Sequence, residues 1–308
     1  MRIAVIGAGG VGGYLAERLI EAGNEVALLA RGAHLAAIRE GGLVLEAPDG
    51  SERRAVPALA TDDPAGLPAS ELVILAVKGQ DLDALIPRLG TAMGETGVAL
   101  PFLNGVEAPG LLANAFGRNR ALIGTARISA VIAAPGRVRQ VTEHAAFAFG
   151  DLDGRQDRAP VPALRQAFRA AAISAPDCAD MRVDLWRKFV SLTAIAGVTA
   201  GARSDLGTAL ATPELRALLS DLIAETVAVA TARGVRLPAS VAAETFEFLA
   251  NLPPEMKASL AHDLEAGKAL EIDWLSGAVA RLGAAAGVPA PRHETIAALL
   301  APHRNGRR

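Results

Sequence analysis

The chain has 308 residues, enough at roughly 100–200 residues per domain for two domains with cores of their own. With 51% hydrophobic and 21% charged residues it has a globular composition, which excludes a disordered chain. The 33 acidic residues against 31 basic ones leave a formal charge of −2, so no broad basic field is available to hold nucleic acid or an anionic membrane. Cys178 is the only cysteine; it excludes an internal disulfide framework and suits the reducing cytoplasm. The N-terminal apolar stretch is cut by Gly7, Gly9, Gly10, Gly12 and Gly13, and no run approaches the ~18 residues of a membrane span, so neither signal peptide nor anchor is read. All but four basic residues are arginines. Lys78, Lys188, Lys257 and Lys268 therefore mark positions where a compact ammonium that can give up a proton is worth looking for.

In chain order, residues 3–6 read as a strand, 11–22 as a helix, 25–29 as a strand and 33–40 as a helix, the rhythm of a parallel α/β sheet. A hairpin-like stretch follows over 42–57, turning at Asp49-Gly50. Residues 72–77 are apolar throughout, as a central strand covered on both faces should be, and 97–103 read similarly. Residues 121–132 and 137–149 form strands joined at Pro135-Gly136, and the sheet ends at a polar connector over 151–162. From residue 182 the pattern is helical, with helices over 184–200, 213–234, 240–250, 254–266 and 271–286 and a frayed tail over 304–308. The predicted organisation is an α/β domain over 1–180 followed by an all-helical domain over 181–308.

The first strand runs into Gly7-Ala8-Gly9-Gly10-Val11-Gly12, a G-x-G-x-x-G loop that opens a helix, which identifies the α/β domain as Rossmann-type. Gly7 permits the tight turn, Gly9 lets backbone approach a pyrophosphate, and Gly12 lets helix pack on strand. Gly10 and Val11 offer first-turn N–H groups to the anion. About 20 residues on, an NAD site places Asp or Glu on the ribose 2′-hydroxyl. Here stands Arg31, which would pair with a 2′-phosphate, so NADP(H) is the expected cofactor. The bland alternatives are a ligand-free glycine turn and a solvated surface arginine.

Taken with the 29–35 segment L-A-R-G-A-H-L, the strand end Ala76-Val77-Lys78, the turn Leu103-Asn104-Gly105, the helix start Leu185-Trp186-Arg187-Lys188 and the 271–277 segment E-I-D-W-L-S-G, the chain resembles the ketopantoate reductase (2-dehydropantoate 2-reductase) family over essentially its full length. The resemblance implies NADPH-dependent reduction of a 2-oxo acid to a 2-hydroxy acid, 2-dehydropantoate to pantoate in pantothenate biosynthesis. It also implies a helical domain like that of 6-phosphogluconate dehydrogenase. By the same resemblance Lys188 is the catalytic general acid, Glu271 its acidic partner at the substrate, and Ser259 a substrate contact. Lys78 and Asn104 would be cofactor-side and active-site residues at two strand ends, with Asn104 also reaching the substrate.

The chemistry agrees. Reducing a ketone creates an alkoxide, which a lysine can both stabilise and protonate, and acid catalysis of this kind contributes typically 10²–10⁴-fold. Glu271 could equally be a helix N-terminal acid and Asn104-Gly105 an ordinary turn. The five histidines show no metal-ligand spacing. Family members carry asparagines four and eight residues after the lysine, where this chain has Leu192 and Ala196. That leaves open a different 2-oxo acid or ketone as substrate, and a non-catalytic NADP(H)-binding sensor on the same fold. The expected partner is a small 2-oxo acid, with no nucleic acid and no membrane; a homodimer is left open.

Overall fold

In a computed structural model describing residues 1–307, the chain divides into two compact units. One comprises residues 1–103 with 107–182, the other residues 104–106 with 183–308. The division places the Asn104-Gly105-Val106 turn with the helical unit rather than with the strand that precedes it. Packing explains this: a Cβ on Gly105 would lie 3.2 Å from the Trp274 carbonyl, and Asn104 hydrogen-bonds within the helical unit.

In the first unit β1 (Arg2–Ile6), α1 (Gly10–Glu21), β2 (Glu25–Leu29) and α2 (Gly32–Gly41) form as the sequence pattern predicts. There follow β3 (Leu43–Glu46), β4 (Glu52–Ala55), β5 (Leu59–Thr61), β6 (Leu72–Leu75) and the short α3 (Leu82–Leu85) and α4 (Gly90–Met93). β7 (Val98–Pro101), α5 (Ala108–Phe116), β8 (Leu122–Ala134), β9 (Arg137–Asp151) and α6 (Val161–Ala170) complete it. Strands β5-β2-β1-β6-β7 make a parallel sheet in that order, with Ile6 in register with Leu29 on one side and Leu75 on the other. All four residues of β6 and of β7 are buried, which is why both read as unbroken apolar runs.

The sheet does not simply run on to residue 149. β4-β3-β9-β8 form a second sheet, in which the hairpin β3–β4 pairs in parallel with β9 and β9 pairs antiparallel with β8. Helix α1 touches both sheets, since a Cβ on Gly12 would lie 3.1 Å from that of Ala76 and one on Gly13 would lie 2.6 Å from Val138. The unforeseen α6 is amphipathic: Val161, Leu164, Arg165 and Phe168 are buried. Phe168 joins Phe102, Phe149, Phe147 and Tyr14 in a chain of aromatic contacts at ring separations of 5.0–6.3 Å, which ties α6, β9, α1 and the end of β7 into one core.

The second unit holds most of α7 (Met181–Gly201), then α8 (Leu206–Ala211), α9 (Pro213–Ala232), α10 (Val241–Ala250), α11 (Ser259–Glu265), α12 (Ser276–Ala285) and α13 (Pro291–Leu300) around its own apolar core. The helix expected over 254–266 starts only at Ser259. The preceding residues turn their carbonyls to α8 instead, Met256 O accepting from Leu206 N at 2.9 Å and Pro254 O from Gly207 N at 2.7 Å. The helix expected over 271–286 is a 3₁₀ turn (Ile272–Trp274) and then α12, broken at Leu275, whose backbone has φ −109° and ψ −102°.

The C-terminal tail is tied rather than frayed: Arg304 pairs with Asp273 at 2.6 Å, its carbonyl accepts from Leu270 N, and Arg307 N donates to Gly267 O. Arg308, included in that expectation, lies outside the described residues. Among the described residues no helix is long and apolar enough to cross a membrane, and no group of three or more His, Cys, Asp or Glu side chains could hold a metal ion.

Candidate active site

The carboxyl ends of β1, β2 and β6 bring three turns together in the first unit. At the first, Gly7 has φ +103°, a conformation L side chains rarely adopt, and its N–H and that of Ala8 both donate to Leu29 O at 3.1 Å. A Cβ on Gly12 would meet Gly7 O at 1.9 Å, so helix and loop approach too closely for any other residue. A Cβ on Gly9, by contrast, would meet nothing within 4 Å, leaving open space at the N-terminus of α1. Gly10 differs from the sequence reading in what it accommodates: its Cβ would strike the Ala130 backbone of β8 at 2.0 Å, so strand packing alone requires glycine there. The arrangement fits a dinucleotide, because the open face at Gly9 lies where the helix dipole and first-turn N–H groups favour an anion.

At the second turn Arg31 is the exposed, extended residue that precedes α2. One turn into that helix stands His34, the histidine of the 29–35 segment, to which the sequence alone assigns no role. Its Nε2 lies 2.9 Å from Ala8 O in the glycine loop, and its Nδ1 accepts from Gly136 N at 3.0 Å at the β8–β9 turn. Burial pushes its pKa below the ordinary histidine value, against the pull of the Ala8 and Ala134 carbonyls. At the third turn half-buried Lys78 follows the Ala76-Val77 segment that packs on Gly7, so the backbone brings it beside the glycine loop.

In the helical unit, Lys188 sits in the second turn of α7, where Trp186 and Phe189 pack edge to face at 5.5 Å and anchor the helix. Lys188 Nζ donates to Asn104 Oδ1 at 3.4 Å, and Asn104 Nδ2 donates to Glu271 Oε2 at 3.3 Å. The amide is thus polarised from both sides, its oxygen facing an ammonium and its N–H a carboxylate. Glu271 is buried at 8% exposure, and its carbonyl is taken by Trp274 N and Leu275 N of the 3₁₀ turn. It therefore opens a 3₁₀ turn and not an α-helix, which removes the helix-dipole reading of this carboxylate. Ser259 is the exposed first residue of α11.

Along α7 beyond the lysine, Leu192 is half-buried against the core and Ala196 is buried at 1% exposure. The two hydroxyls that flank Leu192 turn back onto the helix, Ser191 onto Lys188 O and Thr193 onto Phe189 O, each at 2.9 Å. Two other buried polar groups escaped the sequence reading. Glu17 of α1 is 1% exposed, with one carboxylate oxygen unpartnered and its pKa raised to about 7, mainly by burial. His293 of α13 is fully buried with its pKa lowered to about 4 by burial; it contacts Thr226 Oγ1, Ser276 Oγ and Leu222 O at 2.9–3.2 Å.

A glycine-turned parallel sheet in one unit and an ammonium held through an amide to a buried carboxylate in the other are the make-up of an oxidoreductase of two domains. The chain belongs to the ketopantoate reductase family: residues 3–154 match ketopantoate reductase PanE/ApbA and residues 180–304 match ketopantoate reductase PanE/ApbA C terminal. It is 32% identical over 322 aligned positions to a 2-dehydropantoate 2-reductase of Mesorhizobium japonicum, covering 97% of each chain. It is 30% identical over 300 positions to the uncharacterized oxidoreductase YkpB of Bacillus subtilis, covering 97% of this chain and 98% of that one. The crystal structure of a PanE/ApbA family ketopantoate reductase from Ralstonia eutropha superposes with a TM-score of 0.89 at 29% identity, over 99% of this chain and 98% of the other.

Proposed function

We propose that the protein is a cytoplasmic, NADP(H)-dependent reductase that converts a small 2-oxo acid to the corresponding 2-hydroxy acid. The observation that carries the reading is the run Lys188–Asn104–Glu271, in which an ammonium is oriented by an amide that is itself fixed by a buried carboxylate. When bound, the reduced nicotinamide supplies a hydride to the carbonyl carbon of the substrate. Lys188 gives its proton to the carbonyl oxygen as negative charge gathers there, and solvent returns the proton to the lysine. Asn104 holds the ammonium with its amide oxygen, and Glu271 keeps that amide in one orientation while balancing the charge in a poorly solvated place.

In the first unit Gly7, Gly9, Gly10, Val11 and Gly12 would form the diphosphate cradle, with Arg31 on the 2′-phosphate and Lys78 beside the loop. Ser259 is assigned a substrate contact. The relatedness to 2-dehydropantoate 2-reductases supports 2-dehydropantoate as substrate and pantothenate biosynthesis as its setting. A second reading is favoured by Leu192 and Ala196: an apolar helix face beyond the lysine suits a 2-oxo acid with an apolar side chain better than a hydroxylated one. The test is NADPH oxidation followed at 340 nm with 2-dehydropantoate and a panel of alkyl and aryl 2-oxo acids. Turnover of 2-dehydropantoate above all others selects the first substrate, and preference for an apolar 2-oxo acid selects the second. Cofactor binding with no turnover of any would return the reading to a non-catalytic NADP(H) sensor.

A further inference from the structure

We propose that His34 is a positioning residue that aims the Gly9 N–H at the cofactor diphosphate; this rests on the reading of the glycine loop as a dinucleotide site. Gly136 N–H points at Nδ1 and Ala8 O lies 2.9 Å from Nε2, so the tautomer with its proton on Nε2 satisfies both, with the Ala134 carbonyl also beside the ring. Burial favours the same uncharged ring. His34 is thus held at one nitrogen by a turn 102 residues downstream and grips with the other a carbonyl 26 residues upstream.

What it grips is one half of the Ala8–Gly9 peptide. In a planar trans peptide the C=O and N–H point in opposite directions, so turning the Ala8 carbonyl toward α2 turns the Gly9 N–H away from it. The loop backbone on the other side is set independently, by the two hydrogen bonds from Gly7 N and Ala8 N to Leu29 O. Those bonds fix where the loop begins but leave the plane of the next peptide free to rotate, and glycine at 9 removes the side chain that would restrain it. His34 supplies the missing restraint. It also sits one turn after Arg31, so the helix that carries the 2′-phosphate cation and the loop that carries the diphosphate donors are joined through one side chain.

The test uses two variants that each keep half of the ring's bonding. His34→Asn retains an acceptor where Nδ1 stood and loses the reach to Ala8, whereas His34→Gln retains an N–H where Nε2 stood. Dissociation constants for NADPH, NADH and adenosine 2′-monophosphate, which has no diphosphate, are read by calorimetry on the full-length protein, with circular dichroism as the check of folding. His34→Asn is expected to weaken NADPH and NADH by a common factor of about three- to tenfold, the worth of one hydrogen-bonded donor, and to leave adenosine 2′-monophosphate within about twofold of wild type. His34→Gln is expected to hold both dinucleotides within about twofold. The proposal is overturned if His34→Asn binds NADPH and NADH like wild type, if it weakens adenosine 2′-monophosphate as much as the dinucleotides, or if Gln loses what Asn keeps. Wild type binding neither dinucleotide would instead overturn the underlying reading of the glycine loop.

Discussion

Asn104 is the joint between the proposed proton donor and the buried acid, and replacing it with alanine removes two hydrogen bonds to charged partners at once. Well-formed bonds of that kind are worth about 1.5–3 kcal/mol each. At 3.3 and 3.4 Å both lie beyond the usual range, so a figure at or just below the low end, about 1–1.5 kcal/mol apiece, is appropriate. The sum, about 2–3 kcal/mol, predicts a fall in kcat/KM of about 30- to 150-fold at roughly 1.4 kcal/mol per factor of ten. The loss should fall mainly on kcat, because the amide orients the ammonium as charge develops. Steady-state turnover at saturating NADPH with the best 2-oxo acid of the panel reads it. Asn104→Asp should do worse than alanine wherever the new carboxylate is ionised, since a second carboxylate beside Glu271 in a buried place sets two like charges together. A folded Asn104→Ala enzyme with kcat/KM within threefold of wild type would refute the reasoning.

Arg31→Asp should weaken NADPH binding by about 1–3 kcal/mol and narrow or invert the preference over NADH, and titration of both cofactors checks it. Glu17 has a folded-state pKa of about 7, above the ordinary 4.5, so the stability it contributes is present below pH 4.5 and lost as pH rises through 7. Glu17→Gln should therefore gain on wild type as pH rises through that window, reaching up to about 3 kcal/mol by about pH 8, in denaturant melts run from about pH 4 to 8. His293 runs the other way: its pKa of about 4 lies below the ordinary 6.5, so its contribution is present above pH 6.5 and is lost as pH falls toward 4. His293→Gln should flatten that acid limb in the same melts.

How much of this was readable from the chain follows the range of the interactions. The alternation of strand and helix over the first 41 residues is a local pattern, and there sequence and structure agree. The second sheet was not readable, because β3 finds its partner in β9, with Leu45 opposite Val138, and nothing in either segment names the other. That Gly10 must be glycine was not readable either, because the strand that forbids a side chain there arrives from Ala130. His34 carried no metal spacing, and its meaning depends on carbonyl and amide groups far away in sequence. Lys188, Asn104 and Glu271 lie in three separate family-like motifs, and only the fold brings them into one hydrogen-bonded run. The 254–258 stretch shows the converse error: it reads as helix, and it is pulled out of helix by the unsatisfied N–H groups at the start of α8.

The central claim is that Lys188 delivers the proton, and single-turnover reduction by Lys188→Ala and Lys188→Arg tests it most directly, with NADPH affinity measured on the same samples. Lys188→Ala should lose about 10²–10⁴ in rate while its NADPH dissociation constant stays within about twofold, and Lys188→Arg should recover little, since guanidinium keeps the charge without releasing a proton. Near-normal single-turnover rates in Lys188→Ala, with any substrate that the wild type reduces, would contradict the account and pass the role to water or to another donor such as Lys78.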